Sequence, residues 1–293
     1  MVNFYVMLVK LIITAGLFMS VFYSSSTSDS SSVFVASTPC DEPIRSILSI
    51  PWEAKAEFIR WKLELHTSGS FSISLMYGES KPNTLGFIDT TVKNYAGTYT
   101  ILKTKVPVYV LKGEGINGAL MLARINDNLF HILTKDQQPM IGNGGWSYVL
   151  NAQQPKPTAS SINTFEVSGS DTAQQMVFDG RTPCKEFAKD HGIAVNPNCI
   201  KFKWRLTLNR DPRTLEPTTY TARRIVYDIT DNTGKWTIRK TGPTTQIIQL
   251  NPDETGRSIS LLMLDNKVLY FLDRNGQPYV GNADFSFALN RMQ

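Results

Sequence analysis

Cys184, His191 and Cys199 form the densest cluster of reactive side chains in the sequence. Two thiolates and an imidazole within one connecting segment can offer a soft ligand set to Cu(I) or zinc. The same cysteines can instead close a disulfide, because Gly192 and Pro197 let the intervening segment turn back. A bridge over such a loop stabilises by about 3 kcal/mol if the sulfurs meet. It consumes both thiols, so the bridge and the metal site exclude each other, and the bridge is the first expectation. The chain has an odd count of 3 cysteines, which leaves Cys40 free or paired with another chain.

Catalysis finds little support. The 3 histidines, His66, His131 and His191, stand in no recognisable ligand or nucleophile spacing. Asp127, Asp136, Asp253, Glu254, Asp265 and Asp273 fall at expected turns, where a carboxylate accepts backbone hydrogen bonds, and their spacing is too sparse for a calcium loop. No glycine-rich phosphate loop leads from a strand into a helix, and no serine elbow occurs. The formal charge of +5 is spread widely. Arg223-Arg224, Lys201-x-Lys203-x-Arg205 and Arg239-Lys240 read as solvated faces rather than nucleic-acid contacts. The sequence therefore points to a non-enzymatic protein, with no resident cofactor expected and a soft metal, copper or zinc, as the candidate ligand of the cysteine-histidine set.

The elements that must carry these residues come in two copies. Leu129 to Asn151 and Val268 to Asn290 align without a gap, sharing among others Gln138/Gln277, Pro139/Pro278, Gly142/Gly281, Asn143/Asn282, Ser147/Ser286 and Asn151/Asn290. Upstream, Thr38-Pro39-Cys40 recurs as Thr182-Pro183-Cys184, the Trp61-x-Leu63-x-Leu65 run as Trp204-x-Leu206-x-Leu208, and Gly97 to Ile101 as Gly234 to Ile238. Matches in one order mark a duplicated module. His131 sits where the other copy has Tyr270, which makes it a packed or surface strand residue.

Each copy reads almost wholly as strand. Phe58 to Leu65 and Phe202 to Leu208 alternate apolar with polar at a period of two. Shorter runs follow, ending with Trp146 to Leu150 and Phe285 to Leu289, and Asn126-Asp127, Asp265-Asn266 and Asn275-Gly276 mark turns. Six to eight such strands must hide their edges, so the expected fold is all-β: two tandem small antiparallel β-barrels after an N-terminal signal segment. Trp61, Phe71, Tyr99, Trp204, Tyr220 and Trp236 are expected to fill or line the interiors, which makes an apolar ligand cavity the alternative to a solid core. Tyr279 and Trp146 are expected to be exposed near the closing loops and suited to docking on another protein. The Gln-Pro-x-x-Gly-Asn stretch before each last strand reads as a structural loop in which glycine permits the bend.

Residues 1–32 read as a secretory signal and serine-rich tract: a basic Lys10, the apolar run Leu11 to Tyr23, then Ser24 to Ser32. Left uncleaved, Tyr5 to Tyr23 approaches spanning length if Lys10 snorkels and would be the chain's membrane contact. Residues 33–151 form the first module, 152–170 a linker that is proline- and serine-rich at its start, and 171–293 the second module, which Thr164 to Val167 can begin. About 260 residues remain after the leader, enough for two cores. Export to the periplasm or cell envelope is expected.

In the second module Gly180, Pro183, Cys184, Cys199, Leu206, Leu208, Tyr220, Gly234, Trp236, Ile238, Leu250 and Leu262 to Gly276 occur in an order that resembles the N-terminal domain of the NlpE copper-resistance lipoproteins. These are small lipocalin-like barrels of the bacterial envelope. The likeness covers about a hundred residues well and the first module more weakly. The family carries its cysteines as Cys-x-x-Cys, whereas Lys185 to Asn198 separate Cys184 from Cys199, and the family's lipidated cysteine has no counterpart. The resemblance implies envelope location, a barrel fold and a part in envelope-stress sensing or copper tolerance.

Overall fold

The structure is a computed structural model that describes residues 30–157, 161–166, 171–225, 232–242, 244–253 and 257–292. The expected leader thus lies outside the described residues, apart from its last three. Among the described residues no helix is long and apolar enough to cross a membrane.

Two closed eight-stranded antiparallel barrels make up the chain. The first runs in sequence order through β1 (Ser31–Pro39), β2 (Phe58–His66), β3 (Ser70–Gly78), β4 (Thr91–Leu102), β5 (Val108–Gly113), β6 (Leu120–Asn126), β7 (Leu129–Leu133) and β8 (Val149–Ala152). It closes where Val35 of β1 faces Asn151 of β8. The second runs through β9 (Gln175–Pro183), β10 (Lys201–Arg210), β11 (Pro217–Ile225), β12 (Asn232–Lys240), β13 (Gln246–Pro252), β14 (Ile259–Met263), β15 (Val268–Phe271) and β16 (Ala288–Arg291). It closes where Asp179 of β9 faces Asn290 of β16.

Alternation explains the long strands. In β2 and β10 the residues Trp61, Leu63, Trp204 and Leu206 point inward and are buried, while Lys62 and Lys203 face outward. Each tryptophan finds a partner for its indole N–H inside the barrel: Trp61 donates to Thr38 Oγ1 and Trp204 to Thr182 Oγ1, both at 2.8 Å. Gly97 and Gly234 recur because strands cross closely there. A Cβ on either would sit 2.1 Å from the Lys112 carbonyl oxygen or 2.0 Å from that of Asn251.

Several elements differ from the expected ones. The first strand of each barrel, β1 and β9, escapes the sequence reading because small Ala36, Thr38, Gly180 and Thr182 break its apolar rhythm. Both closing strands begin later than expected. Asn143 accepts from the N–H groups of Gly145 and Trp146, and Asn282 does so from Asp284 and Phe285, which holds the chain in a turn before β8 and β16. Thr164 to Glu166 joins no strand: Phe165 N–H donates to the Leu264 carbonyl just past β14 at 3.2 Å and its ring packs on the cluster shared by the barrels, while Val167 lies outside the described residues. The last two residues expected in the strand Thr219 to Tyr227 lie outside the described residues.

Two short helices also appear in a chain that reads as strand. α1 (Ile44–Ile47) and α2 (Lys185–His191) each follow a first strand and press apolar side chains into the barrel core. Ile44 and Leu48 are fully buried, and Phe187 packs against Trp204 and Phe271. Arg45 secures the first plug by donating to the carbonyls of Cys40, Pro51, Ala54 and Ala56.

Candidate functional site between the barrels

Each barrel interior holds a cluster of buried apolar side chains. Trp61, Phe71, Trp204, Tyr220 and Trp236 are buried within two separate core clusters, and half-buried Tyr99 packs on the edge of the first. Tyr99 caps the β2–β3 turn by donating its hydroxyl to the His66 carbonyl, and Trp236 donates its indole N–H to Asn209 O at the corresponding end of the second barrel. The six aromatics therefore fill walls and ends.

Cys184 and Cys199 form a disulfide with a Cα–Cα distance of 6.0 Å. His191 lies between them in sequence at the end of α2 and stacks on Phe187 at 4.1 Å. The two thiolates of the alternative metal set thus exist only after reduction. Among the described residues no group of three His, Cys, Asp or Glu side chains is arranged to hold a metal ion. Cys40 is a free, buried thiol, and burial pushes its pKa up to about 11.

A third apolar cluster belongs to both barrels. Val108, Ala123, Ile125, Leu129, Leu133 and Val149 of the first meet Ile247, Leu262, Leu264, Val268, Leu272 and Ala288 of the second. These are the same positions in the two copies, so the contact is isologous, as in a two-fold dimer built within one chain. The strands involved show it directly. β7 and β15 are buried on both faces, whereas an ordinary barrel strand alternates.

Polar groups in this interface are matched reciprocally. Asn290 Oδ1 accepts from Gly142 N–H at 2.7 Å, and Asn151 Oδ1 accepts from Gly281 N–H at 2.8 Å. The amide nitrogens complete each latch, Asn290 donating to Ser147 Oγ at 2.7 Å and Asn151 to the Asn282 carbonyl at 3.2 Å. Gly142 and Gly281 have no positive φ; a Cβ on them would collide with the carbonyl of Trp146 or Phe285 at 2.1 or 2.2 Å. Their role is thus close approach, which corrects the expected bend.

His131 and Tyr270, equivalent positions in the two copies, meet in the same interface. His131 Nε2 is 2.8 Å from the Met140 carbonyl, which can only accept, so Nε2 carries the proton and Nδ1 accepts from the Tyr270 hydroxyl at 2.6 Å. Burial pulls the imidazole down to about 4, so it is neutral and structural.

The two aromatics expected to be exposed are not free for docking. Tyr279 is 8% exposed and donates its hydroxyl to Asp190 on α2. Trp146 is half-buried, stacked on Phe58 at 4.7 Å and covered by the Arg181 guanidinium of the other barrel at 5.3 Å.

No family model matches the chain, and no curated protein matches it. Among solved structures, the chain is similar to the crystal structure of the Cpx pathway activator NlpE from Escherichia coli at 11% identity. That match covers 71% of this chain and 91% of that one with a TM-score of 0.23, too loose an overlap to bear on function. The sequence and its own geometry therefore carry the reading: an internally duplicated pair of closed antiparallel barrels, the second holding a disulfide, fused through a pseudo-two-fold interface.

Proposed function

We propose that the chain is a non-enzymatic, exported protein of the bacterial cell envelope, NlpE-like in type, that works in envelope-stress sensing or copper tolerance through protein contacts. The observation that carries this reading is the pair of barrels, each with a buried apolar cluster inside, latched into one body, which leaves the outer surface as the working part. Export is supported by the Cys184–Cys199 bridge, since structural disulfides persist in oxidising compartments. Trp52, 73% exposed beside the first plug, is an apolar contact point for a partner in the envelope.

Two further readings have places in the structure. A carrier of a small hydrophobic ligand would use the basin of about 190 Å³ at the mouth of the first barrel, walled by Phe34, Tyr109 and Phe130. Soft-metal binding by Cys184, His191 and Cys199 requires the bridge to be reduced first.

Cell fractionation followed by intact-mass analysis tests the principal reading, with a photo-crosslinking residue placed at Trp52. The expected result is an envelope-fraction protein whose bridge is oxidised and which crosslinks to a second envelope protein. A cytosolic protein with reduced thiols would overturn it. Copper taken up only after reduction would favour the metal reading.

A further inference from the structure

On one side of the interface a cleft with room for about 30 Å³ opens between the barrels. That is the scale of one small bound group rather than a drug-sized ligand. Its walls come from equivalent positions in the two copies, which have diverged in charge. Where the first copy has Ser37 and Phe58, the second has Arg181 and Lys201; Trp146 is answered by Phe285, and Gly145 by Asp284. One barrel thus supplies an aromatic platform and the other supplies most of the cations.

The platform is continuous. Phe87 stacks on Phe58 at 4.1 Å, Phe58 on Trp146 at 4.7 Å, and the Arg181 guanidinium lies over Trp146. Lys201 is held over the Phe285 ring at 5.2 Å. Ring contacts fix both cations in place and leave their N–H groups free to donate. Among the described residues neither is within ion-pair distance of a carboxylate. Burial disfavours the charged form of each; Glu57 partly offsets this for Arg181, and for Lys201 the repulsion from Arg181 and Lys203 outweighs the attraction of Asp284. Arg60 of the first barrel completes the rim. It is paired with Asp284, the one carboxylate lining the cleft, yet its Nε is buried without a hydrogen-bond partner. Two partly buried cations without an ion-pair partner among the described residues, and an unsatisfied guanidinium donor, converging on one gap, are what an anion would relieve.

We propose that this cleft binds a small oxyanion, a carboxylate or a phosphate group, with Arg181 and Lys201 as its ligands and Arg60 at the rim. The fork of Arg181 takes two oxygens; Lys201 takes a third oxygen of a phosphate or shares one of a carboxylate's two, with the stacked rings behind them. The duplication thereby acquires a site that neither barrel has alone.

The test is titration of the purified full chain with inorganic phosphate and, separately, acetate, with sodium chloride holding ionic strength constant, read by melting temperature and calorimetry. A saturable rise with either anion is expected, and the anion that acts identifies the oxyanion class. R181Q and K201Q should each weaken binding about tenfold, and K235Q, a change at an exposed site on β12, should leave it unchanged. D284N removes the competing carboxylate and should tighten binding severalfold, a gain that a misfolded variant cannot mimic. A response to neither anion, or one that survives both R181Q and K201Q, overturns the site.

Discussion

Replacing Asn290 with alanine removes one of the two latches between the barrels while leaving both barrel walls intact. In the native protein the Asn290 side chain satisfies Gly142 N–H and Ser147 Oγ, each at 2.7 Å, and Asn290 itself is fully buried. Alanine leaves the Gly142 donor orphaned where water cannot reach it, which costs about 1–3 kcal/mol, and the lost bond to Ser147 adds about 1 kcal/mol. The expected loss is therefore about 3 kcal/mol, a fall in Tm of roughly 6–12 °C for a chain of this size. Urea unfolding followed by tryptophan fluorescence measures it, with the m-value expected to stay at its native size because the barrels still unfold as one. Asn151→Ala should act in the same direction and to a similar extent, since Asn151 makes the reciprocal bonds to Gly281 and Asn282. Asn94, exposed on β4, provides the control, its alanine variant staying within about 0.5 kcal/mol of the parent. An Asn290→Ala variant as stable as that control would refute the latch.

Acid should weaken the same interface. The His131 imidazole, held near 4 in the fold against an ordinary 6.5, stays neutral while the unfolded chain takes up a proton. Its contribution is complete above about pH 6.5 and is lost as pH falls toward 4, a decline of about 3 kcal/mol. His131→Gln should remove that part of the pH profile, so the difference between the two unfolding curves across this window is the readout. Opening the Cys184–Cys199 bridge, which spans a sequence separation of 15, should cost about 3 kcal/mol, seen as a lower urea midpoint for a Cys184→Ala, Cys199→Ala variant. The Cys40 thiol, buried and raised to about 11, should resist a thiol reagent at pH 8 in the native protein and react at once in urea.

The barrel walls were legible because their chemistry is local. The alternation in β2 and β10 states which face is inside, and the ungapped match of Leu129 to Asn151 with Val268 to Asn290 states that the chain does this twice. The joint between the copies was harder to see, because an interface depends on the outer faces of strands brought together only after folding. Its signal was nonetheless present. Leu129 to Leu133 and Val268 to Leu272 are apolar or unchargeable at nearly every position, more than a one-sided barrel strand needs. Asn151 and Asn290 were identical in the two copies, but a single strand gives no reason for a buried amide, and the partner glycine of each lies in the other copy. The helical plugs were missed for a different reason. α1 and α2 are too short to show a 3.6-residue period, and only packing against the barrel end stabilises them. Of the cleft cations, Lys201 reads as a solvated strand residue and Arg181 carries no signal, since the aromatic neighbour of Arg181, Trp146, belongs to the other half of the chain and that of Lys201, Phe285, lies far along the same one.

Differential scanning calorimetry of the full chain tests most directly whether the two barrels are one body. A shared core and reciprocal latches predict a single transition whose calorimetric and van't Hoff enthalpies agree, with Asn290→Ala lowering the whole peak. Two separable transitions, with only one of them moved by that substitution, would contradict the fusion of the barrels.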